Sequence, residues 1–167
     1  FLGPHKINDR RYEVRCFLPG AIMVSVGMGS QQIAAQRQGE SDLFVATIDC
    51  TSVPEYQLDV SYADKASHRH YDEYSFASTL DEQAMYLFNE GSLEHAYRHL
   101  GAHFTTQQGV EGVRFTVWAP NASSVSVIGE FNFWQRQRHF MRFHPASGVW
   151  ELFIAGLKED QCYKFAI

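Results

Sequence analysis

The chain has 167 residues, of which 45% are hydrophobic, 14% aromatic and 20% charged, and this composition excludes an intrinsically disordered protein. The net charge is −5, so the counterion release that drives nucleic-acid binding has no source. No apolar run approaches the roughly 18 residues of a membrane span. We therefore expect neither nucleic acid nor a membrane as a partner.

The first third of the chain alternates apolar and polar residues over residues 12–18, 22–27, 43–48 and 56–62. A period of two, with β-branched and aromatic side chains, predicts half-buried β-strands. The stretch from Gly27 to Gly39 is rich in Gly and Gln and has no aromatic residue, so it is interpreted as a plain loop. Residues 1–62 are predicted to form a first β-sandwich.

A connector is predicted next, over residues 63–108. Residues 63–78 are polar and aromatic, which is typical of a surface segment. Residues 80–88 then predict one short helix, and a second helix is predicted to begin at Ser92, a good N-cap residue. The apolar residues of this second helix would share one face: Leu93, Ala96, Tyr97 and Leu100.

Strands resume at residues 113–119, 124–130, 149–154 and 162–167. Residues 109–167 predict a second sandwich that is incomplete, because an immunoglobulin-like fold needs about seven strands. The chain starts without Met and stops in strand-like sequence, so we expect a piece of a longer polypeptide. The predicted fold class is mainly β: two immunoglobulin-like β-sandwich modules joined by a short helical connector, with the second module truncated.

The strand pattern of the first part recurs about a hundred residues later. Residues 12–26 align with residues 113–127 at an offset of 101 (113 − 12), and residues 43–60 align with residues 150–167 at an offset of 107 (150 − 43). The six additional residues of the second copy (107 − 101) lie around Gly129-Glu130-Phe131-Asn132-Phe133-Trp134. Two copies of one scaffold that differ by an aromatic loop indicate a specific role for that loop.

The titratable residues predict no catalytic or metal site, and we expect no cofactor. Glycoside cleavage needs two carboxylates about 5–10 Å apart, whereas neighbours in sequence point apart. We interpret three acidic pairs as solvated surface: Asp72-Glu73, Asp81-Glu82 and Glu159-Asp160. Three histidines spaced by four residues lack the further ligands of a zinc site, so solvent-facing or capping roles are favoured: His95, His99 and His103.

The cysteines indicate a compartment. An odd number of them in strand-like sequence favours buried, reduced thiols over a disulfide framework. We therefore predict a cytoplasmic protein with three buried thiols: Cys16, Cys50 and Cys162.

The aromatic loop is suited to sugar. The apolar face of a pyranose ring can lie on the indole of Trp134, while sugar hydroxyls reach polar partners such as Asn132. One such contact contributes about 1.5–3 kcal/mol by analogy with buried apolar side chains, which predicts weak binding. The alternative is that the aromatic rings fill the sandwich. That alternative is favoured for Phe131, which continues the strand, and both interpretations stay open for Trp134.

Several stretches together resemble the amino-terminal region of bacterial glycogen (1,4-alpha-glucan) branching enzymes. They follow the family's order and are 1–5 (FLGPH), 86–91 (YLFNEG), 100–103 (LGAH), 112–122 (GVRFTVWAPNA), 129–134 (GEFNFW) and 148–154 (GVWELFI). The run at 114–122 alone is similar to any family 48 carbohydrate-binding module. The run at 100–103 and the duplicated module narrow the resemblance to branching enzymes. This sequence departs from the family after Trp134, where Gln135-Arg136-Gln137 replaces the usual Asp-Gly-Arg.

The resemblance implies a parent enzyme of the alpha-amylase superfamily. Such an enzyme cuts an α-1,4 glucan link by a retaining route and transfers the fragment to a 6-hydroxyl, which makes an α-1,6 branch. Its catalytic carboxylates lie on a (β/α)₈ barrel that alone needs more residues than this chain has. The fragment is therefore expected to be inactive, with the barrel of the same polypeptide and an α-glucan as partners.

The resemblance also implies the binding residues. In glycogen-binding relatives, the tryptophan after the Phe-Asn pair stacks on glucose, which corresponds to Trp134, and a lysine in the Tyr-Lys-Phe strand contacts sugar hydroxyls, which corresponds to Lys164. The predicted carbohydrate-binding residues are Trp134, Lys164 and Asn132. Two other hypotheses stay open: a targeting module of another glycogen-associated protein, and a spacer that only supports a catalytic domain.

Overall fold

The computed structural model describes residues 2–63 and 65–167. Phe1, at the start of the first matching stretch, and residue 64, within the predicted connector, lie outside the described residues. The chain divides into two compact units, residues 1–75 and 76–167. Both are mainly β-sheet, which confirms the predicted fold class.

The described residues of the first unit form eight strands. They are β1 Gly3–Asn8, β2 Arg11–Phe17, β3 Ala21–Met28, β4 Gln31–Ala34, β5 Gln36–Arg37, β6 Leu43–Asp49, β7 Gln57–Tyr62 and β8 Lys65–Tyr71. They form two antiparallel sheets with the orders β1-β2-β6-β5 and β4-β3-β7-β8. Alternate residues of the four central strands bury their side chains in one core, as a period of two requires: Val14, Cys16, Val24, Val26, Phe44, Ala46, Ile48, Leu58 and Val60.

The strands that sequence analysis missed in this unit lie at sheet edges. β1 precedes the first predicted strand. β4 and β5 are in the stretch interpreted as a plain loop, and β8 is in the segment interpreted as a surface connector, so these two interpretations are wrong at those positions. β4 has one half-buried residue and β5 has two exposed ones. Because these edge strands bury so little, their sequence has no apolar period, and only backbone pairing identifies them.

The second unit contains one helix and six strands. They are α1 Glu82–Asn89, β9 Gly101–Gln107, β10 Val110–Trp118, β11 Ser126–Gly129, β12 Arg142–His144, β13 Val149–Ala155 and β14 Tyr163–Ala166. A four-stranded sheet has the order β12-β13-β10-β9, and a two-stranded sheet pairs β11 with β14. Among the described residues of the chain, no helix is long and apolar enough to cross a bilayer.

The segment before β9 covers one face of the four-stranded sheet. Asp81 caps α1 by accepting from the backbone N–H groups of Gln83 and Ala84. The helix buries Ala84 and Met85 against Val149 of β13. The ring of Phe76 meets Phe153 of β13 edge to face, with 4.7 Å between centroids. This part of the predicted connector is therefore a layer of the second unit.

The second predicted helix is wrong. Ala96–Arg98 forms a single 3-10 turn, and the side chain of His95 provides no cap. Gly91 and Gly101 both have positive φ angles, of 74° and 100°. Leu93 and Leu100 are half-buried against the cluster that contains Ala84 and Met85, whereas Tyr97 is 66% exposed. The predicted apolar stripe is therefore not buried as one helical face.

The two units share a strand topology. The sheet β1-β2-β6-β5 corresponds strand for strand to β9-β10-β13-β12, and the pair β3-β7 corresponds to β11-β14. Cys16 pairs with Phe44, as Val117 pairs with Trp150. The residues on β2 and β10 keep the offset of 101 (117 − 16), whereas the residues on β6 and β13 differ by 106 (150 − 44). The offset of 107 aligned from sequence is thus one residue off in β13, and such a slip exchanges the faces of a strand.

Candidate functional site

The aromatic loop begins where β11 ends. Glu130–Asn132 forms a 3-10 turn directly after Gly129. A Cβ on Gly129 would lie 2.6 Å from both the carbonyl oxygen of Cys162 and the ring of Phe131, so no larger residue fits at this position. The backbone N–H of Trp134 donates to the carbonyl oxygen of Gly129 at 2.9 Å. The loop therefore closes tightly on the end of its own strand.

Asn132 holds this loop from inside. Its side chain is 1% exposed. The Oδ1 atom accepts from the N–H of Gly129 at 2.9 Å, and Nδ2 donates to the carbonyl oxygen of Val127 at 2.9 Å. Nδ2 also lies 2.8 Å from Nδ1 of His139, which must accept because an amide nitrogen only donates. The prediction that Asn132 contacts sugar is wrong, because its polar atoms are buried and already bonded.

Trp134 and Lys164 meet on the surface. The indole of Trp134 is 42% exposed, and Nζ of Lys164 lies 5.8 Å from the centroid of the indole ring. Lys164 is on β14, where it pairs with Ile128 of β11. The antiparallel pairing brings a residue 30 positions away in sequence (164 − 134) next to the indole. Two of the three predicted binding residues are thus brought together.

The ring of Phe131 turns toward the sandwich. It is half-buried, with its centroid 6.2 Å from that of Phe115 and 5.6 Å from that of His139. This agrees with the interpretation that Phe131 fills the sandwich, and it leaves Trp134 and Phe133 as the exposed rings of the loop. No role was predicted for Phe133, whose one distinguishing feature in the sequence is its place beside Trp134 in the inserted loop.

This surface is suited to a neutral, amphipathic ligand. An exposed indole offers an apolar face, and the ammonium of Lys164 offers three hydrogen-bond donors beside it. Gln135, Arg136 and Gln137, which follow the loop, are also exposed and can donate to hydroxyl oxygens. The arrangement can bind a polyhydroxylated ring, but it does not assemble a nucleophile with a base.

A second concave surface lies on the inner face of the four-stranded sheet. It is a cleft of about 330 Å³ with an aromatic floor that includes Phe104, Phe115 and Tyr163. Residues 158–161 form its polar rim. Neither Trp134 nor Lys164 lines this cleft, so the two surfaces can be tested separately by substitution.

His95 and His103 contact groups that are close to them in sequence. Within residues 2–63 and 65–167, no group of three or more His, Cys, Asp or Glu side chains is placed to hold a metal ion. His95 lies edge to face on Tyr97. His103 bonds through Nε2 to the carbonyl oxygen of Leu100 at 2.9 Å. These two histidines therefore have local roles.

One acidic residue in the first unit contradicts the surface interpretation. Asp72 is 2% exposed, accepting from the hydroxyl of Tyr56 at 2.5 Å and from the N–H of Tyr74 at 3.0 Å. Burial, together with the neighbouring charge of Glu73, raises the pKa of Asp72 to about 7. Nothing in the local sequence distinguishes this residue from a solvated one.

The cysteines also depart from prediction. All three are free, but only Cys16 is buried, whereas Cys50 is half-buried and Cys162 is exposed. Burial raises the pKa of Cys16 to about 12, so this thiol stays protonated and unreactive. Cys162 was predicted to lie in the last strand, but β14 begins one residue later, at Tyr163, and Cys162 lies outside the core.

In the second unit a buried carboxylate fixes the segment before α1. Glu151 of β13 accepts from the N–H of Thr79 at 3.0 Å and bonds to Nε2 of His144 at 3.2 Å. Burial alone would raise the pKa of Glu151, but hydrogen bonds from His144, Ser78 and Thr79 outweigh it and hold the pKa below its ordinary value. The network is structural, since its members bond to one another.

Comparisons with known proteins agree with this architecture unit by unit. Residues 1–74 match the family described as alpha-1,4-glucan branching enzyme GlgB, N-terminal domain. Residues 99–167 match Carbohydrate-binding module 48 (Isoamylase N-terminal domain). The fold and the exposed aromatic loop thus define the class: a β-sandwich protein with a family 48 carbohydrate-binding module.

The relatives identify the family. The 1,4-alpha-glucan branching enzyme GlgB of Saccharophagus degradans is 46% identical over 99% of this chain and 23% of its own length. The enzyme of the same name from Methylobacillus flagellatus is 44% identical over 100% of this chain and 23% of its own length. The chain belongs to the 1,4-alpha-glucan branching enzyme family, of which it matches the N-terminal region. It spans under a quarter of the length of these relatives.

A likeness to solved structures is much weaker. The match to ligand-free PulA of Klebsiella pneumoniae covers 99% of this chain and 18% of the PulA chain, with 16% identity and a TM-score of 0.35. The family assignment therefore depends on the sequence relatives and the two family matches.

Proposed function

We propose that this chain is a non-catalytic, glucan-binding region of a branching enzyme, and that the surface formed by Trp134 and Lys164 contacts an α-glucan chain. The observation that carries the proposal is the exposed indole with an ammonium group 5.8 Å from its ring centroid, on a loop fixed by a buried asparagine. A fixed ring loses little conformational entropy when a sugar covers it.

The expected affinity is low. Covering one indole face contributes about 1.5–3 kcal/mol, and a few hydrogen bonds to hydroxyls add about 1 kcal/mol each. These sums support a Kd in roughly the millimolar range for one oligosaccharide. A branched polymer that presents many chain ends compensates for weak single contacts by multivalency.

We propose that the chemistry belongs to the rest of the parent polypeptide. In that proposal a (β/α)₈ barrel carries two carboxylates, one as nucleophile and one as acid and base. It cuts an α-1,4 link with retention and transfers the glucan segment to a 6-hydroxyl. This region then holds glucan near the barrel and influences the length of the transferred segment. A cytoplasmic location is part of the same proposal and is supported by the three free cysteines.

The test is affinity electrophoresis of the 167-residue chain in gels with and without glycogen. We expect glycogen to retard the chain, and Trp134→Ala to restore most of its free mobility. The matched control is Phe104→Ala, which removes an exposed ring from the other concave surface and should leave retardation unchanged.

The results separate the alternatives. Absence of retardation, or retardation unaffected by Trp134→Ala, would contradict glucan binding at this loop and favour the spacer hypothesis. Loss of retardation in Phe104→Ala alone would move the binding surface to the cleft. Isothermal titration with maltoheptaose provides the affinities, and far-ultraviolet circular dichroism checks that each variant is folded.

A further inference from the structure

Trp118 is exposed at the end of a sheet face that is otherwise covered. On β10, Thr116 and Trp118 point to the same side of the sheet, which is the side covered by α1 and the segment around it. Thr116 is 1% exposed and donates to the carbonyl oxygen of His99 at 2.5 Å. Trp118 pairs with Val149, which is buried against α1, but Trp118 itself is 54% exposed. The covering layer therefore stops before it reaches this indole.

The indole of Trp118 is held in place from two directions. Its ring lies edge to face against Phe88 of α1, with 6.0 Å between centroids. On another side, a Cβ on Gly148 would lie 2.7 Å from Cβ of Pro120 and 3.3 Å from Nε1 of Trp118. The N–H of Ala119 also donates to the carbonyl oxygen of Gly148 at 3.0 Å. A ring fixed in this way loses little conformational entropy when another surface covers it.

Two apolar rings border this indole. Phe88 is half-buried and Pro120 is exposed, so both can contribute to an apolar contact surface. Trp134 differs, because the ammonium of Lys164 lies beside its ring. An apolar border suits the side chains of another polypeptide segment better than the hydroxyls of a sugar. Tryptophan is also enriched among the residues that contribute most to protein–protein interfaces.

A large polypeptide is available to cover this surface. The chain spans 23% of the length of the branching enzymes that it matches, so more than three quarters of such a parent polypeptide lies outside it. A domain joined covalently to the second unit has a high effective concentration at that unit. One fixed aromatic anchor with an apolar border is then sufficient to hold it.

We propose that the surface formed by Trp118, Phe88 and Pro120 is where the rest of the parent polypeptide docks on the second unit. The inference rests on the part of the proposed function that assigns the chemistry to the rest of the parent, and not on glucan binding at Trp134. In the parent, apolar side chains of the docked domain cover Trp118, while Trp134 stays open to glucan. The second unit thus has one aromatic surface for its own polypeptide and another for a ligand.

The experiment compares the oxidation of tryptophans in the 167-residue chain and in the full-length parent polypeptide by mass spectrometry. Combined cleavage after Arg and Glu places Trp118, Trp134 and Trp150 on three different peptides. In the 167-residue chain Trp118 and Trp134 should both react, and Trp150, which is 7% exposed, is the protected reference. In the parent, oxidation of Trp118 should slow about tenfold or more while that of Trp134 changes less than about twofold, because a docked ring reacts only when the interface opens.

A charge placed at the surface provides a second measurement. Trp118→Lys in the parent should return hydrogen exchange of the α1 amides to the rate found in the 167-residue chain, because an unpaired buried ammonium opposes docking. Trp134→Lys is the matched control and should leave α1 as slowly exchanging as in the unchanged parent. If Trp118 only packed within the second unit, its substitution would accelerate α1 exchange by the same factor in the chain and in the parent.

The outcomes separate this inference from the proposed glucan surface. Equal oxidation of Trp118 in the chain and in the parent would overturn docking at this surface. Protection of Trp118 by maltoheptaose in the 167-residue chain would also overturn it, because the indole would then be a sugar contact. If maltoheptaose does not protect Trp134, the proposed glucan surface is wrong, while slow oxidation of Trp118 in the parent still supports docking.

Discussion

Asn132→Ala offers the sharpest test of how the loop is held. The substitution removes hydrogen bonds to the N–H of Gly129, the carbonyl oxygen of Val127 and Nδ1 of His139. A buried backbone group that loses its partner costs about 1–3 kcal/mol. Two such groups, in a site that is closed to solvent, predict that the free energy of unfolding of the second unit falls by about 2–4 kcal/mol.

The assay can follow the second unit alone. All three tryptophans of the chain lie in residues 76–167, so urea unfolding monitored by tryptophan fluorescence reports that unit. A loss of 2–4 kcal/mol in a unit of this size corresponds to a fall in Tm of roughly 10–25 °C. Glucan affinity should fall as well, since the turn that carries Trp134 loses the support of Asn132.

The matched control is Asn121→Ala. Asn121 is exposed in the segment between β10 and β11, so the same substitution there should cost less than about 0.5 kcal/mol. If Asn132→Ala were no more destabilising than this control, the buried network would not be what fixes the loop. Glucan binding by a rigid aromatic loop would then lose its structural basis.

Three further predictions concern stability. The pKa of Asp72 is raised from 3.8 to about 7 in the folded chain, so its contribution is most favourable below pH 4 and is lost as pH rises to about 7. First-unit stability, followed by hydrogen exchange, should fall on the order of 3 kcal/mol over that range and become nearly flat in Asp72→Asn. Gly112→Ala should destabilise the second unit by about 2 kcal/mol or more in urea unfolding, because the new Cβ would clash with the β13 backbone. Gly109→Ala has open space around the Cβ and should cost only about 1–2 kcal/mol of backbone strain. Glu151→Ala should lower the Tm of the second unit by at least several degrees, since the N–H of Thr79 and Nε2 of His144 both lose a bond to the buried carboxylate. An unchanged Tm would show that the network does not hold the segment before α1.

The duplicated scaffold explains why the two units differ in their candidate roles. Both place equivalent strands in the same order, so the backbone framework is common to them. The second unit adds the aromatic loop after β11, whereas β3 leads through a short turn into β4. A binding surface can be added between two strands without change to the core, because loops are positioned by the sheets but do not build them.

The central strands were predictable because burial imposes a period on them. Val14, Cys16 and their partners on β6 alternate with solvent-facing residues, and this pattern can be read from sequence alone. The strands β4, β5 and β8 lie at sheet edges, and β4 and β5 bury little. Their sequences therefore have no apolar period that would identify them as strands. The predicted second helix failed because its apolar residues do not bury one common face: Leu93 and Leu100 pack against the cluster at α1, whereas Tyr97 is exposed.

Sequence alone determined the fold class, the core strands and the loop that carries Trp134, because hydrophobic period and motif spacing are local properties. Only the tertiary structure decided that Lys164 lies beside that indole, that Asn132 is a buried support, and that Asp72 is inside the first unit. Each of these depends on which strands pair and on what covers a side chain from another part of the chain. Two asparagines or two aspartates look alike in sequence, and long-range packing alone separates the solvated one from the buried one.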